Sequence, residues 1–371
     1  MKTTARYLTA AALALFASSA YAADPPRYTA ALYRTAPNQS AYSIGLSNSG
    51  IVAGSFYGEQ AYTTQGFIWP SRGADPAPIP MPQWRWNEVG NVNSSGVLVG
   101  SVTDYYGDAG TTAYVYRNGT VTSLNTPGWR ESSAKAISEQ GAITGWVGTS
   151  SEASAMLYRD GQIATFDLPG ANFNEGIAVN SSNQVAGTGA FYARPFTTHA
   201  FLFDGSTVLD LNQPGWTSSR AYGMNDHGDV VGWFGTQGGQ GGFLYHDGQM
   251  TELAGLSSLG FYPRAINNSG DMVGRSPVAG EDISYAVLSH DGHLYKLLDL
   301  IDGSARPSDF QPMLLNEAGQ IAGFAQYEDG GALMVLTPLA AVPEPAAGLL
   351  LCAGLAVLAV AGRRARRGGV Y

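Results

Sequence analysis

The sequence predicts an all-β chain folded as a seven-bladed β-propeller of four-stranded antiparallel blades, and three observations predict it. An eight-residue pattern recurs seven times, closing on glycine at 54, 100, 145, 187, 232, 274 and 323, so the copies lie 42 to 49 residues apart. Beyond most copies stands a second hairpin signal. The last copy stops one strand short, while an unclaimed strand-like segment precedes the first. A period of about 45 residues that holds four strands is the mark of a propeller blade.

Each copy opens on a small polar residue: Ser47, Asn93, Ser138, Asn180, Asn225, Asn267 or Asn316. Three positions later comes a turn residue, and four after that the closing glycine. In the fifth copy, apolar runs flank Asn225-Asp226-His227-Gly228. The Asn225 side chain can bond its own backbone and Gly228 can take positive φ, which makes a tight hairpin with a bulge. This hairpin supplies the first two strands of the blade. Further on, Asp247-Gly248 stands between apolar runs, a strong signal for a second hairpin and two more strands. Asn118-Gly119, Asp160-Gly161, Asp204-Gly205 and Asp291-Gly292 repeat it. No repeat shows a 3.6-residue period, which argues against helical solenoids, and a parallel β-helix would recur at shorter intervals.

The seventh repeat supplies strands near Leu314-Leu315, at 321–324 and at 332–336, and then ends. Residues 28–34 (Tyr-Thr-Ala-Ala-Leu-Tyr-Arg) have strand composition and no repeat of their own. They are expected to close the last blade as its outer strand, which removes open sheet edges.

The chain ends carry location. Lys2 and Arg6 lead an apolar run at 7–16, and Ala20-Tyr21-Ala22 offers a small-x-small cleavage site at Ala20 and Ala22, so residues 1–22 read as a signal peptide. The expected propeller fills 23–341. At the far end Val342-Pro343-Glu344-Pro345 precedes an expected membrane helix at 346–362, then Arg363, Arg364, Arg366 and Arg367. The apolar part of that helix would be about 24 Å long at 1.5 Å per residue, close to a bilayer core. Arginines on the cytoplasmic side of an exported body agree with the positive-inside rule.

Residues 342–371 resemble the PEP-CTERM sorting signal, in which a Pro-Glu-Pro motif, a short membrane helix and an arginine cluster stand in that order. The resemblance implies processing by an exosortase-type membrane protease. It also implies a cell-surface or extracellular location, with transient or retained anchoring in the inner membrane. An ordinary C-terminal anchor is the plainer alternative.

His199-Ala200-Phe201, following the fourth copy, completes a second resemblance, to the bacterial extracellular HAF repeat family. Other copies read Gln65-Gly66-Phe67, Thr112-Ala113-Tyr114, Ser154-Ala155-Met156, Gly241-Gly242-Phe243 and Tyr285-Ala286-Val287. The turn asparagine is replaced by Ser47 and Ser138, the turn glycine by Asn183, and the alanine two before the turn by Gly223. That family implies extracellular placement and no established activity.

Charge narrows the partners. The chain carries −9, and losing Lys2, Arg6 and the four tail arginines would leave about −15. Such a domain lacks the basic footprint that nucleic-acid binding needs. The single cysteine, Cys352, falls in the tail, so the body has neither a disulfide nor thiol chemistry.

In a propeller the turns within hairpins share one face and the longer connections share the other. The first face reads as scaffold. The second gathers Trp84, Trp86, Tyr105, Tyr106, Trp129, Tyr192, Trp216 and Tyr262 with the acids Asp104, Asp108 and Asp282, and these form the expected ligand face. Flat exposed aromatics beside hydrogen-bonding groups suit sugar rings. Trp146 and Trp233, directly after closing glycines, are expected to pack between blades instead.

No catalytic residue and no metal site is predicted. His290-Asp291-Gly292-His293 reads as an exposed hairpin tip, and His199 and His246 as structural. The 225–229 turn lacks the twelve-residue ligand series of a calcium loop, so Ca2+ is only an open option and no other cofactor is implied. His-Glu-x-x-His, Gly-x-Ser-x-Gly and phosphate-loop motifs are absent from the sequence. The expected function is therefore non-enzymatic binding of a polysaccharide or protein partner at the cell surface or in the exopolysaccharide matrix. Alternatives are a polysaccharide lyase or hydrolase with carboxylates gathered at the ring axis, and purely structural surface material.

Overall fold

The computed structural model describes residues 25–34, 40–58, 63–81, 86–104, 110–124, 126–149, 151–278, 280, 283–303, 306–328 and 330–339. The predicted signal peptide, Pro-Glu-Pro motif, tail helix and arginine cluster lie outside them. No helix among the described residues is long and apolar enough to cross a membrane.

The described chain is built of strands, with one short 3-10 turn at Leu297–Leu300. Its strands form six sheets, five of four strands and one of eight. Ala41–Leu46, Val52–Tyr57, Thr64–Trp69 and Ala77–Pro78 make the first in chain order, and Trp86–Val92, Leu98–Asp104, Gly110–Arg117 and Thr120–Ser123 the second. The eight-stranded sheet begins with Glu131–Ile137, Ile143–Gly148, Ala153–Arg159 and Gln162–Phe166. It continues with Phe173–Val179, Val185–Phe191, Thr197–Phe203 and Val208–Asp210. Within each half the pairing is antiparallel, and the halves join only through the parallel pair of Ala153 with Phe173. Two further sheets follow, Trp216–Met224, Val230–Thr236, Gln240–His246 and Gln249–Leu253, then Tyr262–Ile266, Met272–Pro277, Ser284–His290 and His293–Lys296.

The last sheet uses both ends of the described chain. Asp309–Leu315, Ile321–Tyr327 and Gly330–Pro338 take Tyr28–Tyr33 as their outer strand, antiparallel in register from Tyr28 opposite Pro338 to Tyr33 opposite Leu333. This is the closure expected from the missing fourth strand of the seventh repeat. Tyr28, 3% exposed, packs with Leu300, Ile301, Phe310 and Leu336.

The seven strands that open the repeats each touch the next, and the last of them, Asp309–Leu315, touches the first, Ala41–Leu46. They form a closed inner ring. Apolar clusters fill the wedges between neighbouring sheets; Val52, Phe56 and Trp69 of the first sheet, for example, pack on Ala322, Leu333 and Val335 of the last.

The closing glycines have a steric cause. A Cβ on Gly145 would overlap the Ser133 carbonyl oxygen on the adjacent inner strand, and one on Gly274 would overlap that of Tyr262. The other five also meet an inner-strand carbonyl. Neither Gly145 nor Gly274 has positive φ. Close approach of two backbones, not backbone conformation, selects glycine here.

The turn asparagines do two jobs. The Asn225 Oδ1 accepts the His227 and Asp229 amides at 3.0 Å each, the local turn that the sequence predicts. Its Nδ2 reaches the next repeat and donates to the Asn267 carbonyl at 3.1 Å. Asn93 donates likewise to the Ser138 carbonyl, Asn180 to that of Asn225, and Asn316 to that of Ser47, which ties the last repeat to the first. One residue further on, the Ser181 amide donates to Asp226, Asp226 to Asn268, Asn268 to Glu317 and Glu317 to Asn48. The repeated turns are thus clasps between neighbouring repeats.

Candidate functional site

Two regions gather chemistry, a groove on the loop face and the channel along the ring axis. The groove lies where the two halves of the eight-stranded sheet meet. It encloses about 570 Å³ between the loops at 126–130, 149–152 and 167–172. Its floor is tied by backbone bonds, Ala153 N to Asn172 O at 3.2 Å and Thr149 N to Glu152 O at 2.8 Å. Trp129 stands at its edge, 40% exposed, with Arg130 beside it. Glu152, Ser154, Asp167 and Asn172 also line it.

Asp167 is held in place from beneath. The buried Asn174 donates from Nδ2 to Asp167 Oδ1 at 2.9 Å, and Ser154 Oγ donates to Oδ2 at 3.1 Å. Asn174 Oδ1 in turn accepts the Leu168 amide at 3.0 Å. Its carboxylate is therefore exposed and oriented by side chains that cannot turn freely.

The groove continues toward two more aromatics. The Tyr192 amide donates to Asn172 Oδ1 at 2.9 Å. Its ring stacks on Phe196, with centroids 6.0 Å apart and planes 24° from parallel; the two residues are 45% and 56% exposed. An aromatic surface with fixed acceptors beside it can bind planar, hydroxyl-rich molecules.

The remaining residues of the expected ligand face scatter. Trp84, Tyr105, Tyr106, Asp108 and Asp282 lie outside the described residues. Trp86 is half-buried and packs edge-on against Tyr42 at 4.6 Å and Tyr57 at 5.7 Å, a second aromatic cluster on the loop side of the first two sheets. Asp104 ends the strand Leu98–Asp104, opposite Gly110. Tyr262 is half-buried, and its hydroxyl donates to the Gln240 carbonyl at 3.3 Å; burial raises its pKa above the ordinary phenol value.

Trp216 is half-buried; it stacks on Phe234 at 4.1 Å with planes 7° apart and packs on the cluster that includes Phe243. Its strand starts earlier than the turn pattern suggests, because Trp216–Met224 runs nine residues, and the residue falls within the sheet. Trp146 is buried against Phe173, between the two halves of the eight-stranded sheet, as its place after a closing glycine predicts. Trp233 is half-buried, with its Nε1 donating to Gln240 at 3.1 Å.

Sequence reasoning missed the channel. All seven inner strands slip register by one residue, the first near its start at Tyr42 and the other six directly after the partner of the closing glycine, at Gly90, Lys135, Ile177, Tyr222, Arg264 and Met313. A bulge re-aims the extra side chain, and these six residues line one cavity of about 450 Å³ on the axis. Lys135 Nζ lies 2.9 Å from Glu88 and 3.5 Å from Glu175. Burial disfavours the Lys135 charge, but the Glu175 and Glu88 carboxylates outweigh it and raise the ammonium pKa. Arg264 lies over the Tyr222 ring, 4.1 Å from its centroid. The alternating residues of a strand carry no hint of this in sequence, because the bulge breaks the period of two that alternation relies on.

The histidines behave as structural groups. His246 Nδ1 is 2.6 Å from Asp229, His290 Nδ1 is 2.8 Å from Asp271 and His199 Nδ1 is 2.9 Å from Asp210. Among the described residues no group of three or more His, Cys, Asp or Glu is arranged to hold a metal ion.

No family model matches the chain, and no curated protein matches it in sequence. Solved structures do resemble it. The β-propeller domain of the Trilobed protease from Pyrococcus furiosus, described as having an open velcro topology, superposes with a TM-score of 0.55 at 9% identity, covering 83% of this chain and 100% of that one. An oligogalacturonate lyase in complex with manganese gives 0.56 at 9% identity, over 85% and 97%. A puromycin-hydrolyzing peptidase of Mycobacterium tuberculosis gives 0.55 at 13%, over 82% of this chain and 54% of its own, so this chain spans about half of it. The protein is a β-propeller; at these identities the likeness carries the fold alone.

Proposed function

We propose that the protein is an exported, seven-bladed β-propeller that binds a polysaccharide at the cell surface or in the extracellular matrix through the groove beside Trp129, without cleaving it. The carrying observation is an exposed Trp129 lining the same groove as an Asp167 carboxylate held by Asn174 and Ser154, with the Tyr192–Phe196 stack beyond it. The seven-blade count takes the eight-stranded sheet as two blades, supported by its single parallel link and by the seven recurrences of the turn. Export and release rest on the end segments, which resemble a signal peptide and a PEP-CTERM signal handled by an exosortase-type protease. HAF-like repeats agree with that placement.

The hydrolase or lyase alternative would use carboxylates at the axis. Glu88 and Glu175 are there, but both are engaged by one protonated lysine, which favours a structural use of the pair. A glycan array and a pull-down on the producer's own exopolysaccharide, with calcium present, test the binding reading. Wild-type protein is expected to bind and Trp129→Ala to lose about tenfold or more in affinity, as for an aromatic anchor. A blank array and pull-down would remove the proposal.

A further inference from the structure

The structure assigns a second binding site to the axial channel: we infer that it takes a small organic anion with an apolar body, its charged head held by Arg264. The site is separate from the glycan groove and does not depend on it.

The channel has the volume of a small-molecule site, about 450 Å³ against the usual range of roughly 300 to 1,000 Å³. Its walls are mostly apolar, with Ile44, Ile177, Met313, Leu314 and Phe324 among them. Two cations project into it at bulges. Lys135 is committed to two carboxylates. Arg264 is not; the Tyr222 ring supports one face of its guanidinium, and it makes no hydrogen bond or ion pair with any described residue. A half-buried guanidinium with its donors uncommitted has the fork that carboxylates and phosphates fit.

The surrounding charge agrees. Glu88 and Glu175 face Lys135, which leaves that side of the channel one negative charge in excess. Arg264 lies on the sixth inner strand. Among the described residues it is the one cation of the channel lining that no carboxylate holds, in a chain of net −9. At the turn-side mouth, Glu139, Asp226 and Glu317 stand among the lining residues. An anion is thus repelled at that end and drawn from the loop side toward Arg264.

Calorimetric titration of the folded protein with octanoate, octyl phosphate and uncharged 1-octanol tests this. Octanoate or octyl phosphate is expected to bind saturably, and 1-octanol about tenfold more weakly or not at all. The two anions distinguish a carboxylate from a phosphate head. Arg264→Gln should bring anion binding down to the 1-octanol level, while Arg264→Lys retains part of it. Ile177→Trp, which fills the channel and leaves every charge in place, should also abolish it. Trp129→Ala should leave it unchanged, and Arg264→Gln should leave polysaccharide binding unchanged, so the two sites fail separately. Absence of saturable anion binding, or undiminished binding by a folded Arg264→Gln or Ile177→Trp protein, overturns the inference.

Discussion

The two faces of this propeller use the same residue types for opposite ends. On the turn face, Asn, Asp, Ser and Glu recur at fixed positions and are consumed by one another. Asn225 serves its own turn and the next repeat's carbonyl, and Asp226 accepts from Ser181 while its amide donates to Asn268. On the loop face the same types occur once each and leave capacity open, as Asp167 does above Asn174. A polar residue that recurs at every blade is held by its neighbours. One that occurs in a single blade can keep acceptor capacity open, as Asp167 does.

The sharpest way to break this contrast is at a closing glycine. Gly145→Ala places a methyl on the Ser133 carbonyl, which is backbone and cannot rotate aside. The expected loss is about 3 kcal/mol or more, at the upper end of overpacking costs, read as a lower denaturant midpoint. A variant as stable as wild type would show that the inner and second strands have room to part.

Next in size is the clasp. Asn316→Ala removes the bond to the Ser47 carbonyl, the contact with Gln320 and the acceptor for the Ala318 and Gln320 amides, all in a side chain only 4% exposed. Leaving such buried groups unpaired costs about 2 to 3 kcal/mol. Trp129→Ala, by contrast, truncates a large but exposed side chain and should change stability by no more than about 0.5 kcal/mol. Equal losses from the two substitutions would erase the distinction between turn face and loop face.

The contrast also marks how far the sequence could be read. Turns, strands and the outer position of residues 28–33 were legible because each depends on local chemistry, repeated until chance is excluded, and on counting strands. The clasps were not, since Asn180 and Asn225 are 45 residues apart and only ring closure brings them together. At the groove the legibility was partial. Trp129 and Tyr192 follow from loop position, but Asn174 beneath Asp167 belongs to a strand and looks like any other buried polar residue. That Trp216 begins a strand was not legible, because strand length, not turn chemistry, decides whether a residue near a loop enters the sheet. The channel charges were hidden by the bulges, which aim Lys135 and Arg264 inward against the strand alternation.

The smallest expected effect refines the idea that turn-face polar groups are already satisfied. Asp229 is buried and receives both the Asn225 Nδ2 at 2.8 Å and the His246 ring at 2.6 Å. The hydrogen bond to Asp229, with the charges of Asp229 and Asp247, raises the His246 pKa above its ordinary value. Its folded pKa is thus higher than its unfolded one. The stabilisation from the charged ring is fully present below the unfolded value, about 6.5, and disappears as pH rises through the raised folded value. His246→Gln should therefore lower the unfolding temperature more at pH 6 than at pH 8.5, by a small margin because the ring is exposed and solvent screens the pair. Asn225 still partners Asp229 in the variant, so the protein stays folded at both pH values. An identical deficit at both would mean that the histidine acts through packing rather than charge, and that Asp229 belongs wholly to the asparagine clasp.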